Sequence, residues 1–350
     1  MDNLKLMMIS VVVLHHSMLS HIPGVGAWWV GQELRVSPLQ INIISITDLF
    51  IMPVFFFVSG YFAPQSVGTS KFLGYVGKKA KRLLIPWITG LLILSPLYMA
   101  LYFLNRVASL DDQILKAIYS IDSYIYFKNG ISMSHLWFLP VLFVFSILCF
   151  PLQKAHVLRR LGGSVGGCAL ITILLSAAFM FGVSALGGFS CWVKTPLIEF
   201  QLHRILPYFL FFLLGAIMGT NGERRVWKAA VALSPLTVLV GAAARIYMNY
   251  HPCDQTQSLV IYCCSFIAVS MGMTFILFSF FGRFCNKSTP LLERLCSNSF
   301  GVYFVHICVI GLVQLVISRF NLGSDIHTAV VFVVSFALSN LLVSTIKRYL

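Results

Sequence analysis

Two histidines stand side by side near the start of the chain, His15 and His16, late in an apolar stretch that opens with Asp2-Asn3-Leu4-Lys5. An imidazole among apolar residues is a candidate general base, because it gains and loses its proton near neutral pH. Lys5 and His16 are eleven residues apart. In a helix that spacing is ~20° past three full turns, so the two share a face and His15 points elsewhere. His16 then lies ~16 Å along the helix from Lys5. The competing reading is a packed His16 bonded to a backbone carbonyl. Asp48 is the next charged group within an apolar run. It would either hold the tautomer of His16 as a catalytic carboxylate or pair with a buried arginine.

Three further groups carry chemistry. Lys79 and Arg82, within the run Lys78-Lys79-Ala80-Lys81-Arg82, are three apart and share a helix face. With Lys5 they suit a phosphate clamp, or else they anchor the chain to the membrane surface. His135, Trp137, Glu199 and Arg204 combine aromatic faces with hydrogen-bonding groups, as a carbohydrate acceptor requires. An interfacial aromatic belt would look the same. Tyr303 and His306 either line a channel or cross-link helices. No CxxC pattern is present, and no metal site is expected.

The elements that must position these groups follow from composition. Of 350 residues, 58% are hydrophobic and only 10% charged, against about 25% charged in a soluble domain. Mean hydropathy is +0.87. This excludes a soluble globular domain, a disordered chain and a nucleic-acid-binding module. The expectation is an all-α integral membrane protein with about ten transmembrane helices, at 4–20, 39–62, 83–104, 134–152, 165–187, 201–219, 227–248, 258–281, 298–318 and 326–347. The basic run at 78–82 is read as a loop before the third span. With both termini cytoplasmic, 17 of the 25 Lys and Arg fall on the inner side, and every inner loop is basic. The net charge of +14 is therefore an orientation signal. The first span lacks a cleavage site and is read as a retained helix.

These residues resemble membrane acyltransferase family 3. Its opening Asp-x-Leu-Arg, followed by ten residues and a His, is matched by Asp2-Asn3-Leu4-Lys5 and His16. Its second-helix run resembles Met52-Pro53 through Ser59-Gly60-Tyr61, and its Arg-x-x-Arg-Leu motif resembles Lys79 to Leu83. Ser134 to Leu139, Pro207 to Gly215 and Ser299 to His306 are similar to the glucan biosynthesis protein C branch. Two departures are Lys5 and Lys79, where the family carries Arg. A lysine keeps the charge and loses the guanidinium fork.

The resemblance implies one transmembrane acyltransferase domain over 1–350, with no appended soluble domain. It implies O-acyl transfer from cytoplasmic acyl-CoA, acetyl-CoA or succinyl-CoA, as donor substrate to a hydroxyl of an extracytoplasmic glycan. No cofactor would be permanently bound. His16 and Asp48 would be catalytic, and Lys5, Lys79 and Arg82 would contact the donor. Expected partners are membrane lipid, a carbohydrate acceptor and a glycan synthase complex, but no nucleic acid. The expected location is a bacterial inner membrane. The alternative is an exporter of polysaccharide or small solute with His16 and Asp48 as a proton relay. Of nine cysteines, Cys191 and Cys253 fall in outer loops, where a disulfide is permitted and its formation is left open.

Overall fold

The structure is a computed structural model that describes residues 2–22, 36–68, 70–106, 134–187, 192–194, 199–221, 227–285 and 289–349. Helices account for almost all of them, as the composition predicts. They are α1 (Asp2–Leu19), α2 (Pro38–Val67), α3 (Phe72–Thr89), α4 (Ser95–Arg106), α5 (Phe138–Lys154), the short α6 (Val157–Leu161), α7 (Val165–Gly187), α8 (Leu202–Asn221), α9 (Trp227–Tyr250), α10 (Gln255–Phe284), α11 (Pro290–Ile317) and α12 (Ser324–Tyr349). Among the described residues, nine helical segments are long and apolar enough to cross a membrane. To these α1 adds 18 residues, about 27 Å of helix, with Lys5 and both histidines on it. This is a multi-pass membrane protein.

Several boundaries differ from the sequence reading, and three helix starts do so for a local reason. The run Lys78 to Arg82 is no loop: α3 already begins at Phe72 and carries it. Lys, Ala and Arg are strong helix formers, and charge alone does not break a helix. Helix α10 starts at Gln255, where Asp254 and Gln257 cap each other: the Gln257 backbone N–H donates to Asp254 Oδ1 (2.8 Å) and the Asp254 N–H to Gln257 Oε1 (3.3 Å). Helix α11 starts at Pro290 rather than 298, with Thr289 accepting from the Leu292 N–H. Two short antiparallel strands, β1 (Trp192–Lys194) and β2 (Glu199–Gln201), precede α8. Glu199 therefore sits in a strand, next to the helix end where it was expected.

The chain divides into two compact units, Met1–Thr47 with Ile88–Leu136 and Phe284–Leu350, and Asp48–Trp87 with Trp137–Arg283. In the first unit α1 packs along α11. Asn3 Nδ2 donates to the Cys285 carbonyl (2.7 Å) just before α11, and Cys296 Sγ donates to Asn3 Oδ1 (3.2 Å). Between α3 and α4 the backbone forms a π-helical turn, Gly90–Leu94. A side chain at Gly90 would meet Leu136 (2.5 Å) and Phe304 (3.0 Å), so glycine lets this turn close against the approach to α5. Cys308 Sγ donates to the Leu94 carbonyl (3.3 Å), and Tyr98, Leu101 and Ile307 bury around it.

In the second unit α2 and α8 meet backbone to backbone. A Cβ at Gly215 or Gly219 would collide with the carbonyl oxygens of Phe57 and Tyr61, and one at Gly60 with that of Phe212. The Gly215-x-x-x-Gly219 spacing presents both glycines on one face, the small-residue device by which membrane helices approach closely. Ser270 on α10 donates to the Leu49 carbonyl (2.7 Å) and fastens α10 to the same helix.

Candidate active site

The helices of the first unit bring three histidines together. His16 on α1 faces α11, and its Nδ1 lies 3.0 Å from Nε2 of His306. The other nitrogen of His306, Nδ1, lies 2.7 Å from the Tyr303 carbonyl. His135, in the 3-10 turn Ser134–Trp137, packs edge-on to His306 with ring centroids 4.7 Å apart. Its Nε2 reaches the Phe304 carbonyl (3.1 Å), while the Tyr303 hydroxyl donates to the His135 carbonyl (2.5 Å). So α11 holds the His135 turn by two hydrogen bonds and His16 by a third. His306, a candidate channel-lining or cross-linking residue with Tyr303, is a ring neighbour of the base candidate (centroids 5.0 Å apart), and Tyr303 is a ring neighbour of His306 and His135.

The hydrogen bonds set the tautomers. A carbonyl only accepts, so His306 donates from Nδ1 to Tyr303. His306 is fully buried (0% exposed), and its hydrogen-bond partners among the described residues include no carboxylate. Burying an uncompensated charge is costly, so the ring stays neutral and Nε2 keeps its lone pair. His16 must then donate from Nδ1, which leaves the lone pair of His16 on Nε2. A neutral imidazole with Nδ1–H pinned and Nε2 basic is the form that removes a proton from a hydroxyl. The same rule applied to His135 places its N–H on Nε2. Its Nδ1 is a buried acceptor with no hydrogen-bond partner among the described residues.

His15 belongs elsewhere. Its Nδ1 lies 2.7 Å from the Thr47 hydroxyl, which in turn bonds the Ile43 carbonyl (2.7 Å), so His15 braces α1 against α2. Lys5, at the start of the same helix, is half-exposed and pairs with Asp2 (2.9 Å).

In the second unit, Asp48 on α2 and Arg204 on α8 form a two-pronged pair, Nη1 to Oδ1 at 3.0 Å and Nη2 to Oδ2 at 2.5 Å. Of the two partners left open for Asp48, the arginine is the one seen. The Arg204 Nε also donates to the Tyr262 hydroxyl (2.8 Å), as does Nη2, and the guanidinium lies over the rings of Tyr262 and Phe266. The fork of Arg204, an acceptor candidate from the sequence, is engaged by Asp48 and Tyr262. The Arg204 side chain is 6% exposed and that of Asp48 44%, so the carboxylate is the more open half of the pair. Tyr262 carried no sequence signal beyond its place in an apolar helix. Trp137 stacks on Tyr208 (5.9 Å, 27°), which stacks on Phe56 (5.1 Å, 25°). Glu199 is placed by its strand. On α3, Lys79 is half-buried with Nζ 5.4 Å from the Tyr75 ring, and Arg82 is exposed.

The family model described as an acyltransferase domain, acyltransferase family 3, matches residues 1–348. The chain belongs to acyltransferase family 3. It is therefore a membrane acyltransferase. No curated protein and no solved structure matches it. In the acyltransferase, Cys253 is a free thiol that donates to the His251 carbonyl (3.6 Å), while Cys191 lies outside the described residues. A Cys191–Cys253 bridge finds no support in that free thiol.

Proposed function

We propose that this acyltransferase transfers an acetyl or succinyl group from cytoplasmic acyl-CoA to a hydroxyl of an extracytoplasmic glycan, in the inner membrane of a bacterium. The observation that carries this reading is the chain Tyr303 carbonyl, His306, His16, which sets the tautomer of His16 with its lone pair on Nε2. In the reaction His16 Nε2 takes the hydroxyl proton as the oxygen attacks the thioester carbonyl. The carbon–sulfur bond then breaks, and the departing thiolate takes that proton from the imidazolium. His306 is a positioning residue that acts through His16.

Lys5, Lys79 and Arg82 are our candidates for the donor's phosphates, since they carry exposed or half-exposed charge on helices. His135, Trp137 and Glu199 remain our candidates for the carbohydrate. Asp48 is our candidate for holding Arg204 in place through their ion pair. The test is release of CoA from purified protein in nanodiscs, given acetyl-CoA or succinyl-CoA and a neutral oligosaccharide. Mass spectrometry then reports an acylated sugar. CoA release that no acceptor stimulates, with no acylated product from either donor, would overturn the proposal.

A further inference from the structure

A second buried polar cluster lies in the first unit, at the end where α1 finishes. Gln314 on α11 donates from Nε2 to the Ser20 hydroxyl (2.8 Å) and reaches the Ser17 carbonyl (3.5 Å). Gln40 in the first turn of α2 donates from Nε2 to the Thr328 hydroxyl on α12 (3.1 Å). The rings of His21 and His327 pack edge to face, centroids 4.9 Å apart. Gln40, Gln314, His21 and His327 are all at least 98% buried. Yet the bonds leave work undone. Gln40 Oε1, Gln314 Oε1 and both ring nitrogens of His327 have no hydrogen-bond partner among the described residues. Four unmet atoms in one corner of a fold are unusual, since each costs about 1–3 kcal/mol when left unpaired.

The four atoms specify a complement. Two amide oxygens only accept. A neutral histidine ring accepts once and donates once. The matching ligand brings three O–H donors and one acceptor, which is the chemistry of neighbouring hydroxyl groups. It brings no charge, because the cluster has none to offset it. Asp325, near the start of α12, is engaged by the Ser37 hydroxyl (2.6 Å). The cluster also adjoins the base candidate along α1, since Ser20 lies one turn beyond His16 on nearly the same face.

We infer that Gln40, Gln314, His21 and His327 form a binding site for a neutral polyhydroxyl compound, and that it is a further acceptor subsite of the transferase. The acceptor role rests on the transfer reading above; the binding itself does not. The site favours uncharged acceptors over anionic ones, because a carboxylate there would face two amide oxygens.

The test uses full-length protein in detergent, without any acyl donor, and follows thermal unfolding by intrinsic fluorescence as maltose is added. Sugars also raise stability without binding, by exclusion from the surface, and that effect does not saturate. The expected result is a saturable rise in Tm for the wild type. Its apparent Kd should rise at least tenfold in each of Gln40→Met, Gln314→Met and His327→Phe, three variants on three helices, so that one failure to fold does not end the test. Gluconate should give no saturable rise. A non-saturating rise shared by wild type and variants, no rise at all, or equal response to gluconate would overturn the site. Saturable maltose binding by a protein that does not acylate maltose would leave the polyol site standing and overturn the transfer reading.

Discussion

Replacing His306 by leucine separates orientation from mere packing. In the wild type, His306 Nε2 is the acceptor that holds His16 Nδ1–H at 3.0 Å. Leucine fills comparable space and accepts nothing. The Nδ1–H of His16 then faces an apolar side chain in place of that acceptor, at a cost of about 1–3 kcal/mol to that tautomer. The ring recovers this by moving its proton to Nε2 or by turning, and either change removes the lone pair from the reacting face. At 1.36 kcal/mol per decade, kcat should fall about 5- to 150-fold. The KM for acyl-CoA should not move, because His306 is fully buried within the packing of α11 and is not assigned to the donor. Glutamine at 306 offers a carbonyl oxygen to the same N–H and should restore activity to within about tenfold of wild type, while a purely structural role would not rank glutamine above leucine. The assay is steady-state CoA release in nanodiscs, with 15N spectra of the histidine rings to read which nitrogen carries the proton. Wild-type kcat in His306→Leu, or equal loss in both variants, refutes the tautomer argument.

Three other outcomes follow from particular contacts. Gly215→Ala should destabilise the protein by about 1–3 kcal/mol, seen as a lower unfolding temperature in detergent, because the new methyl must push against the Phe57 backbone and not against a flexible side chain. Asp48→Ala should cost more stability than Arg204→Met, with a difference of roughly 1–3 kcal/mol, since it strands a buried cation whereas the reverse change leaves a half-exposed carboxylate. The double variant should regain part of the loss, and an additive loss would contradict the pairing. Lys79→Ala and Arg82→Ala should raise the acyl-CoA KM, and the difference from wild type should shrink as salt screens the wild-type contacts. A KM unchanged at all salt concentrations would remove both from the donor site.

Helix number and placement were largely legible because a span announces itself by composition over some twenty residues. Helix starts were not, although their signals were present. Asp254 and Gln257 are three apart and Thr289 precedes Pro290, yet both capping patterns lie in polar stretches that a hydropathy reading passes over. The basic run at 78–82 misled because charge was taken for conformation, when its residues favour helix. At the site, the eleven-residue spacing to Lys5 singled out His16 over His15, and the structure places the two against different partners, His306 and Thr47. No local pattern could bring His135 and His306 together across 171 positions, or select Arg204 as the partner of Asp48 across 156. Such pairings are decided by tertiary packing. The close contact of α2 with α8 was half visible, in that Gly60, Gly215 and Gly219 could be read as small residues but not as neighbours.

The most direct test of the central claim compares His16→Ala with His15→Ala in one assay. Both variants are purified in nanodiscs, shown to be monodisperse, and followed for acyl transfer to the oligosaccharide under single-turnover conditions. If His16 Nε2 is the base, His16→Ala should lose about 10²–10⁴-fold in the transfer step, the usual contribution of a general base. His15→Ala should lose only about one hydrogen bond of stability, roughly 1 kcal/mol, and stay within a few-fold of wild-type rate. Equal losses in the two variants, or a larger loss for His15→Ala, would contradict the account.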